Sequence, residues 1–423
     1  MANVWSIRGQ ALKLNTAEDI EKHVGELRTN TDIEEIHLEG NTIGVEAAAA
    51  LGDILATKRK LKTANLADIF TGRLLSEIPK ALSSLLQALL KCPELHTINL
   101  NDNAFGLNTV EPLRPFLSQH IPLQHLFLNN NGLGPAAGTL VAESLAQLAE
   151  NKAKASKDGK EVPDLETVVC GRNRLENGSM AAWVKACTAN SRVRTVKMVQ
   201  NGIRQEGIAA LIQHGLSKCE ELRVLDLQDN TFTSLAAKTL SNTISSWPHL
   251  IDLGVGDCLL GARGGLALGK ALSRGENKKI EVLRLQFNEV DAKGVKAICD
   301  SASALPRLRR VELNGNKFDE EDANVEKLRE VLSSQKERAE ELFPGVDVED
   351  EDLWGVDELD ELEEDDNEDD EENDDAAADA DEVEAEEQKV VKDADAAEEQ
   401  PVSQKKDQDV DELADALGKT ELK

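Results

Sequence analysis

The feature that most limits what this chain can fold into is a pattern that recurs along most of it, LxxLxLxxNxL, in which L stands for any leucine-like residue. The ninth position of the pattern falls on ten sites: Asn41, Ile69, Asn103, Asn131, Asn173, Asn201, Asn230, Cys258, Asn288 and Asn316. Successive sites are 28, 34, 28, 42, 28, 29, 28, 30 and 28 residues apart. A spacing this regular predicts a repeat protein in which each unit contacts only its neighbours.

Each position of the pattern has a physical role. The leucine-like residues predict a short strand with apolar side chains pointing inward. The asparagine is predicted to turn inward too, where its amide can bond backbone groups of the turn and of the neighbouring repeat. Amphipathic segments such as 46–57 and 137–150 follow the strands with helical spacing. We therefore expect an α/β leucine-rich-repeat solenoid, a horseshoe with a parallel sheet on its concave side and helices on its convex side.

The repeats stop where the composition changes. Between Asp347 and Glu387 there are 26 Asp or Glu and no Lys or Arg, so most of the chain's net charge of −32 lies in its C-terminal part. Such a stretch repels itself and buries too little apolar surface to fold alone. We expect 1–345 to be the repeat domain and 346–423 to be a largely disordered acidic tail. Four apolar residues near its start are candidates to dock back on the solenoid: Leu353, Trp354, Leu359 and Leu362.

Four further segments can be assigned within the repeat domain. Residues 10–30 predict an N-terminal cap, a short strand and then a helix capped by Asn15 or Thr16, and residues 319–342 predict the last helix. The two long gaps predict insertions. One is GRLLSEIPK after Thr71, and the other is the polar segment 151–164, expected to be a loop.

No catalytic or metal-binding constellation is evident from residue spacing. HExxH, GxSxG and paired-cysteine motifs are absent, and residues 264–271 fit GxxxxGK without the Ser or Thr that binds Mg²⁺. Six scattered cysteines predict reduced, buried thiols in a reducing compartment. No run of about 18 apolar residues exists. We expect a soluble intracellular protein that has no cofactor and binds neither a membrane nor nucleic acid directly.

The eighth position of the pattern comes just before the buried asparagine and is predicted to lie at an exposed edge of the sheet. In seven repeats it is Gly40, Asp102, Asn130, Arg172, Gln200, Asp229 and Asp257. This polar row is either a solvated edge or a surface that meets a protein partner. Arg73 lies in the first insertion, beside the repeat whose asparagine is replaced by Ile69. An arginine on such a rebuilt loop is either a binding residue or a solvated one.

Six blocks of the sequence stand out: LADIFTGR, INLNDNAFG, LNNNGLGP, CGRNRLENGSM, VKMVQNGIRQEG and VLDLQDNTF. Several of them differ from the generic repeat consensus in the same way as one known family does. In these blocks the sequence resembles the Ran GTPase-activating proteins, the fungal form especially, and the resemblance covers essentially the whole chain. It implies a regulator that stimulates GTP hydrolysis by the small GTPase Ran and keeps cytoplasmic Ran in the GDP form for directional nuclear transport. The GTP and Mg²⁺ then belong to Ran. A Ran-binding protein is a further candidate partner, and we expect a cytoplasmic monomer.

The resemblance also implies roles for single residues. Asn130 matches an asparagine thought to orient the glutamine of Ran that positions the attacking water. Arg73 matches the arginine of the TGR motif, expected to anchor the interface, and Arg172 matches the arginine of CGRNR. Some relatives carry a basic residue where this chain has Leu75. Because of this departure, the resemblance does not imply a second basic contact at that position.

Two points complete the expected site. Gln200, Asp229 and Asp257 are expected to bind the partner because they share the row with Asn130. Phosphoryl-transfer chemistry alone would instead nominate an arginine finger, Arg73 or Arg172, because a guanidinium stabilises charge on the transferred group.

Two other classes of protein compete with this interpretation. A ribonuclease-inhibitor-like scaffold shares the repeat and the acidity, but it would lack the rebuilt second repeat and contain abundant cysteines. A chaperone for basic proteins would use the acidic run through long-range attraction, but small acidic leucine-rich proteins have shorter repeats. Deleting 346–423 separates the functions, since a chaperone should lose its activity.

Overall fold

The computed structural model describes residues 3–363, and over them the chain winds into repeating strand–helix units. The strands are β1 (Val4–Ser6), β2 (Lys13–Leu14), β3 (Glu35–His37), β4 (Thr42–Ile43), β5 (Thr63–Asn65), β6 (Thr97–Asn99), β7 (His125–Phe127), β8 (Thr167–Val169), β9 (Thr195–Lys197), β10 (Val224–Asp226), β11 (Asp252–Gly254), β12 (Val282–Arg284), β13 (Arg310–Glu312) and β14 (Gly355–Val356). The helices are α1 (Ala17–Glu21), α2 (Gly25–Thr29), α3 (Val45–Leu55), α4 (Ile78–Leu89), α5 (Leu113–Gln119), α6 (Gly134–Lys157), α7 (Met180–Ala189), α8 (Gln205–Ala210), α9 (Thr233–Thr243), α10 (Gly261–Leu272), α11 (Ala292–Ser301), α12 (Ala323–Glu337) and α13 (Ala339–Leu342). Single-turn helices continue several repeats, among them the π turn Leu211–Gly215 after α8.

Twelve of the strands form one parallel sheet in the order β1-β3-β5-β6-β7-β8-β9-β10-β11-β12-β13-β14, and β2 pairs with β4 separately. The register aligns the same pattern position in every repeat, so Ile98 pairs with Leu126 and Leu126 with Val168. These central strand residues are buried and form one continuous apolar column with the helices that follow the strands. Helices of successive repeats pack side by side. The expected leucine-rich-repeat solenoid is confirmed.

The ladder asparagines explain why the repeats stack in register. Asn131 Oδ1 accepts the backbone N–H of Asn103 at 2.9 Å. Its Nδ2 donates to the carbonyls of Leu128 (2.9 Å) and of Leu100 in the preceding repeat (3.1 Å). The other ladder asparagines repeat this arrangement. Each amide therefore bonds buried backbone groups of two repeats and keeps them satisfied inside the solenoid.

The N-terminal cap contains the expected strand, but the single helix expected after it is two short helices, α1 and α2, and one further strand was not expected. α1 begins after Thr16, whose hydroxyl accepts the N–H of Asp19 (3.2 Å) while the Asp19 carboxylate accepts the N–H of Thr16 (3.0 Å). This reciprocal pair is a capping box, so Thr16 rather than Asn15 is the N-cap. β1 adds a first strand to the main sheet, with Trp5 opposite Ile36. Trp5 is buried, and the cap therefore covers the first end of the apolar column.

Segment 151–164 is a loop only in its second half. α6 continues through Lys157, and the chain leaves the helix after it. The residues AENKAKASK include several good helix formers. Lys152 is buried, and its ammonium donates to the carbonyls of Leu123 and Pro163, both at 2.6 Å. These two bonds tie the remaining loop to the repeat beneath it, which a polar composition alone did not reveal.

The C-terminal end also differs from expectation. The single helix expected over 319–342 is two helices, α12 and α13, that meet at Arg338. Residues 346–363, assigned to the disordered tail, pack on the last repeat instead, and β14 is the twelfth strand of the sheet. The expected boundary at 345/346 therefore does not mark the end of the folded repeat domain. Residues 364–423, the rest of the expected tail, lie outside the described residues.

The contacts of this segment explain why an acidic stretch folds here. Asp357 accepts the backbone N–H groups of Leu313 (2.7 Å) and Asn314 (3.0 Å), and so satisfies the open edge of β13. The buried Trp354 ring meets Phe343 edge-on, with ring centroids 5.3 Å apart. Of the four docking candidates, Trp354 and Leu359 are buried, while Leu353 and Leu362 pack partly buried against apolar clusters. The segment is a C-terminal cap.

Candidate functional site

The eighth residue of each repeat lies just beyond the strand, and we call the row of these residues the rim. In all ten repeats its φ is positive: Gly40 (75°), Asp68 (46°), Asp102 (61°), Asn130 (54°), Arg172 (56°), Gln200 (54°), Asp229 (56°), Asp257 (52°), Phe287 (55°) and Gly315 (66°). Only glycine adopts this left-handed region freely, and a side chain there costs about 1 kcal/mol. The repeat, and not the preference of each residue, therefore fixes the rim backbone.

Neighbouring repeats hold the rim in place. The N–H of Asn130 donates to the carbonyl of Gly171 at 2.9 Å, and the N–H of Arg172 donates to Val199 at 2.8 Å. The same kind of bond joins the other rim residues to the next repeat, except in the last repeat, where the N–H of Gly315 donates to Asn314 Oδ1. Because adjacent strands lie about 4.8 Å apart, the rim side chains emerge side by side at that interval. The structure thus brings five of the residues expected at the site into one row on consecutive repeats: Asn130, Arg172, Gln200, Asp229 and Asp257.

The three consecutive asparagines of the LNNNGL block have three different tasks. Asn129 braces the backbone, because its Oδ1 accepts the N–H of Gly171 at 2.6 Å. Asn131 is 1% exposed and belongs to the ladder. Asn130 is exposed, and its Nδ2 donates to Asp102 Oδ1 on the preceding repeat at 2.8 Å. Of the three residues, Asn130 is the exposed one, and its amide is the most accessible to a partner.

Arg172 follows Asn130 in the rim and is exposed. Within residues 3–363 its guanidinium makes no hydrogen bond or ion pair. The cations on the neighbouring sheet face differ in this respect, since Lys197 approaches Asp226 at 3.9 Å and Arg284 pairs with Asp252. Arg172 is therefore a cation that a partner can reach without breaking a contact in the described part of the chain.

The rim beyond Arg172 becomes acidic. Beyond Gln200 the next two repeats place the carboxylates of Asp229 and Asp257 side by side in the rim. Partial burial, and then repulsion from Asp257, raises the pKa of Asp229. From Asn130 to Asp257 the rim thus presents an amide, a cation, a second amide and two carboxylates. A facing protein surface therefore meets both hydrogen-bonding groups and charges of either sign.

Arg73 does not belong to this row. It lies in the loop after β5, and its guanidinium is shared among three residues of the cap and first repeat. It donates to Thr42 Oγ1 (2.8 Å), Thr42 O (2.9 Å), Asn15 Oδ1 (2.7 Å) and Leu14 O (3.2 Å). Arg73 therefore fixes the first insertion to the N-terminal cap. The next two residues of the loop, Leu74 and Leu75, are 67% and 62% exposed.

The GxxxxGK segment is part of a helix. Residues 264–271 lie inside α10, where the glycines permit close packing. A Cβ on Gly269 would lie 2.5 Å from the carbonyl carbon of Ala297, and one on Gly265 would lie 2.4 Å from a methyl group of Val290. These glycines serve helix contacts, so the segment has no phosphate-loop geometry.

The cysteines lie in the core. All six are free and buried, as expected. Burial raises the pKa of Cys258, which replaces a ladder asparagine, to about 12, and that of Cys170 to about 12. Thiols with such pKa values are poor nucleophiles at neutral pH.

Within residues 3–363 no helix is both long and apolar enough to span a bilayer. The same residues contain no group of three or more His, Cys, Asp or Glu arranged for a metal ion.

Sequence reasoning missed two contributions to the site. Asp102 was recognised in the row but was given no role, although it is the hydrogen-bond partner of Asn130. Asn129 was not recognised as the brace of Gly171. A signal existed for Asp102, because rim residues of adjacent repeats must be neighbours; the pattern separates Asn130 at the rim from Asn131 in the ladder, but it assigns no contact to Asn129.

Comparison with known proteins agrees with the repeat pattern and extends it. Residues 276–299 match the Leucine Rich repeat family. The Ran GTPase-activating protein 1 of Saccharomyces cerevisiae is 40% identical over 77% of this chain and 81% of its own length. The Ran GTPase-activating protein of Drosophila melanogaster is 34% identical over 89% of this chain and 63% of its own. That of Xenopus laevis is 41% identical over 47% of this chain and 34% of its own length.

Proposed function

The chain belongs to the Ran GTPase-activating protein family, and on this premise we propose that it stimulates GTP hydrolysis by Ran through the rim, with Asn130 at the reacting centre. The function rests on the identity shared with named relatives across most of the chain. The observation that carries the site is one exposed, oriented amide, Asn130, beside Arg172, a cation that is unpaired within residues 3–363. The nucleotide and Mg²⁺ are carried by Ran, so this chain acts as a regulator.

Asn130 is suited to positioning. An amide is neither an acid nor a base near neutral pH, but it offers a hydrogen-bond donor and an acceptor. In GTPases of this class a glutamine orients the attacking water. A fixed amide that hydrogen-bonds this glutamine reduces its rotamer freedom and raises the fraction of complexes in which the water is in line. The rim backbone supplies the rigidity that such a role requires.

An arginine finger is the competing mechanism, and the surroundings of the two candidates differ. Arg73 would have to break four hydrogen bonds to reach a phosphate. Arg172 is free within the described residues and adjoins Asn130, so of the two arginines it is the better placed to act as a finger. Because the family resemblance gives the reacting centre to Asn130, we nevertheless assign Arg172 to docking. Removing a finger costs about 10³–10⁵ in rate at saturation, whereas removing a docking contact raises KM.

Arg73 supports docking indirectly. Its guanidinium holds the first insertion against the cap, and the exposed Leu74 and Leu75 on that loop lie next to it. A loop held in one conformation loses less entropy when a partner covers it. Arg73 therefore contributes to the interface indirectly, by holding the loop that contacts the partner.

Gln200, Asp229 and Asp257 extend the interface beyond Arg172. Two carboxylates on neighbouring repeats create a negative potential that favours a basic surface on Ran and steers its approach. Such steering weakens with added salt, because exposed charges are screened over about 10 Å at 0.1 M ionic strength. This part of the rim governs affinity and leaves the rate at saturation unchanged.

The compartment is also part of the proposal. Six free, buried thiols suit a reducing environment, and the family's transport role requires hydrolysis outside the nucleus. We place the protein in the cytoplasm as a monomer, where it keeps Ran in the GDP form. A fluorescent fusion expressed at native level should be excluded from the nucleus; nuclear accumulation would contradict this placement.

A hydrolysis assay with a panel of GTP-loaded small GTPases tests the function class. Each GTPase is mixed with catalytic amounts of the full chain, and released phosphate is followed with time. The proposal expects stimulation of Ran and none of the others. A variant at the exposed amide Gln147 on α6, Gln147→Ala, should match wild type because it lies away from the rim. Absence of stimulation with Ran would overturn the proposal.

A further inference from the structure

The hydrogen bond between Asn130 and Asp102 joins two rim residues of consecutive repeats. Both have left-handed backbones, with φ of 54° and 61°. Both backbone N–H groups are held at 2.9 Å, that of Asp102 by the carbonyl of Asn129 and that of Asn130 by Gly171. With both backbones fixed, the contact of Asn130 Nδ2 with Asp102 Oδ1 at 2.8 Å depends only on side-chain rotation.

An asparagine amide has nearly the same shape after a half-turn that exchanges its oxygen and nitrogen. Its neighbours therefore decide which atom faces outward. An ionised carboxylate only accepts hydrogen bonds, so Asp102 attracts Nδ2 of Asn130 and repels Oδ1. The contact thus turns Oδ1 of Asn130 away from Asp102, towards the side that a partner would cover.

The adjacent amides cannot replace Asp102 in this task. Asn129 uses its Oδ1 to accept the N–H of Gly171. Asn101 uses its Oδ1 to accept the N–H of Asn129 at 2.7 Å. The backbone at Gly171 is closely surrounded as well, since a Cβ there would lie 3.0 Å from the carbonyl oxygen of Val199 and 3.1 Å from Asn129 Oδ1. Asp102 is the acceptor in this cluster that remains for Asn130.

From these contacts we infer that Asp102 is a positioning residue, which sets the amide of Asn130 so that its oxygen accepts an N–H from the catalytic glutamine of the docked GTPase. The inference rests on the proposed function. A glutamine whose Nε2 donates to Asn130 keeps its own oxygen free to accept a hydrogen from the attacking water. With the Asn130 amide reversed, two N–H groups would face each other and the glutamine would turn its oxygen away from the water.

The test separates the rate at saturation from KM in single-turnover hydrolysis by Ran. Asp102→Gly removes the carboxylate while tolerating the left-handed backbone, as Gly40 and Gly315 do at the same position. It should lower the rate at saturation roughly ten-fold, the value of one hydrogen bond to a charged group, and leave KM within about two-fold. Asp102→Asn should retain most of the rate, because the new amide can still present an oxygen to Asn130.

The double variant Asp102→Gly/Asn130→Gly should be no slower than Asn130→Gly alone, because Asp102 acts through Asn130. Three results would overturn the inference: a wild-type rate at saturation for Asp102→Gly, a change confined to KM, or a further loss of rate in the double variant. The proposed function fails separately, if Asn130→Gly itself hydrolyses at the wild-type rate. A slow Asn130→Gly with an unimpaired Asp102→Gly would refute only the role of Asp102.

Discussion

Asn130 and Asn131 are adjacent in the chain, yet their side chains serve opposite sides of one turn. Asn131 is 1% exposed and bonds backbone groups of two repeats, whereas Asn130 is exposed and reaches across to Asp102. The left-handed backbone at Asn130 separates the two directions. One turn therefore carries both the scaffold and the proposed site, and the two functions can be tested independently.

Replacing Asn131 should damage the fold. Asn131→Ala leaves the buried N–H of Asn103 without its acceptor. It also removes one of two amide donors from each of the carbonyls of Leu100 and Leu128. An unpaired buried donor costs about 1–3 kcal/mol, and the weakened carbonyls add to this, so we expect a loss of about 2–4 kcal/mol in denaturant unfolding. Asn130→Gly is the matched control and should change stability by less than about 1 kcal/mol. Equal losses of stability in the two variants would contradict the assignment of Asn131 to the scaffold and Asn130 to the site.

Weakening the contacts of Arg73 should raise KM and preserve the rate at saturation. Arg73→Ala frees the first insertion from the cap. Thr42→Val and Asn15→Ala each remove one acceptor of the guanidinium and should raise KM in the same direction by a smaller factor. Steady-state kinetics with Ran at low protein concentration measures both constants. If Arg73 touched Ran directly, the acceptor variants would leave KM unchanged.

The buried Lys152 should make stability depend on pH. Burial lowers the pKa of Lys152 to about 8, from its usual value near 10.5. Between these two values the unfolded chain holds the proton that the folded chain has lost, so stability rises with pH. Relative to Lys152→Met, the wild type should gain up to about 3 kcal/mol from pH 7.5 to 10.5. Denaturant unfolding at both pH values tests this, with Lys154→Met at an exposed position as control; a constant difference would refute it.

The glycines of the GxxxxGK segment should matter for packing alone. Gly269→Ala places a methyl group 2.5 Å from the backbone of Ala297, and overpacking of this kind costs about 1–3 kcal/mol. Gly25→Ala, where no atom lies within 4 Å of the new Cβ, should cost little. Thermal unfolding compares the two. Addition of Mg-GTP should shift neither transition, and a shift in the wild type that Gly269→Ala abolishes would reinstate a nucleotide site.

Much of the fold was predictable because the same sequence pattern, and therefore the same local structure, recurs in every repeat. The position of Asn131 in its turn followed from nine other turns. Exceptions to the repeat were less accessible. Lys152 lies in a polar stretch whose composition is typical of a loop, and its burial depends on carbonyls of Leu123 and Pro163 that only the folded chain brings near. The sequence did not predict β14, because this strand forms by pairing with the edge of β13 and its acidic surroundings are typical of a disordered segment.

The candidate site was predictable in position but not in geometry. The spacing placed Asn130 and Arg172 in one row, whereas the left-handed backbone of that row follows from turn geometry shared by residues as different as Asp102 and Phe287. Gly40 and Gly315 at the same position were the available hint. Arg73 was assigned to the interface from its motif, and its intramolecular bonds required the tertiary structure.

The most direct test of the central claim is single-turnover GTP hydrolysis by Ran at saturating concentrations of the wild type and of Asn130→Gly. Binding of the variant to GTP-loaded Ran is measured in parallel, and Gln147→Ala serves as the unaltered-rim control. If Asn130 positions the catalytic glutamine, the variant should bind Ran with nearly wild-type affinity and hydrolyse GTP about 100-fold more slowly, the cost of a misplaced reacting group. A variant that binds and hydrolyses at the wild-type rate would contradict the account.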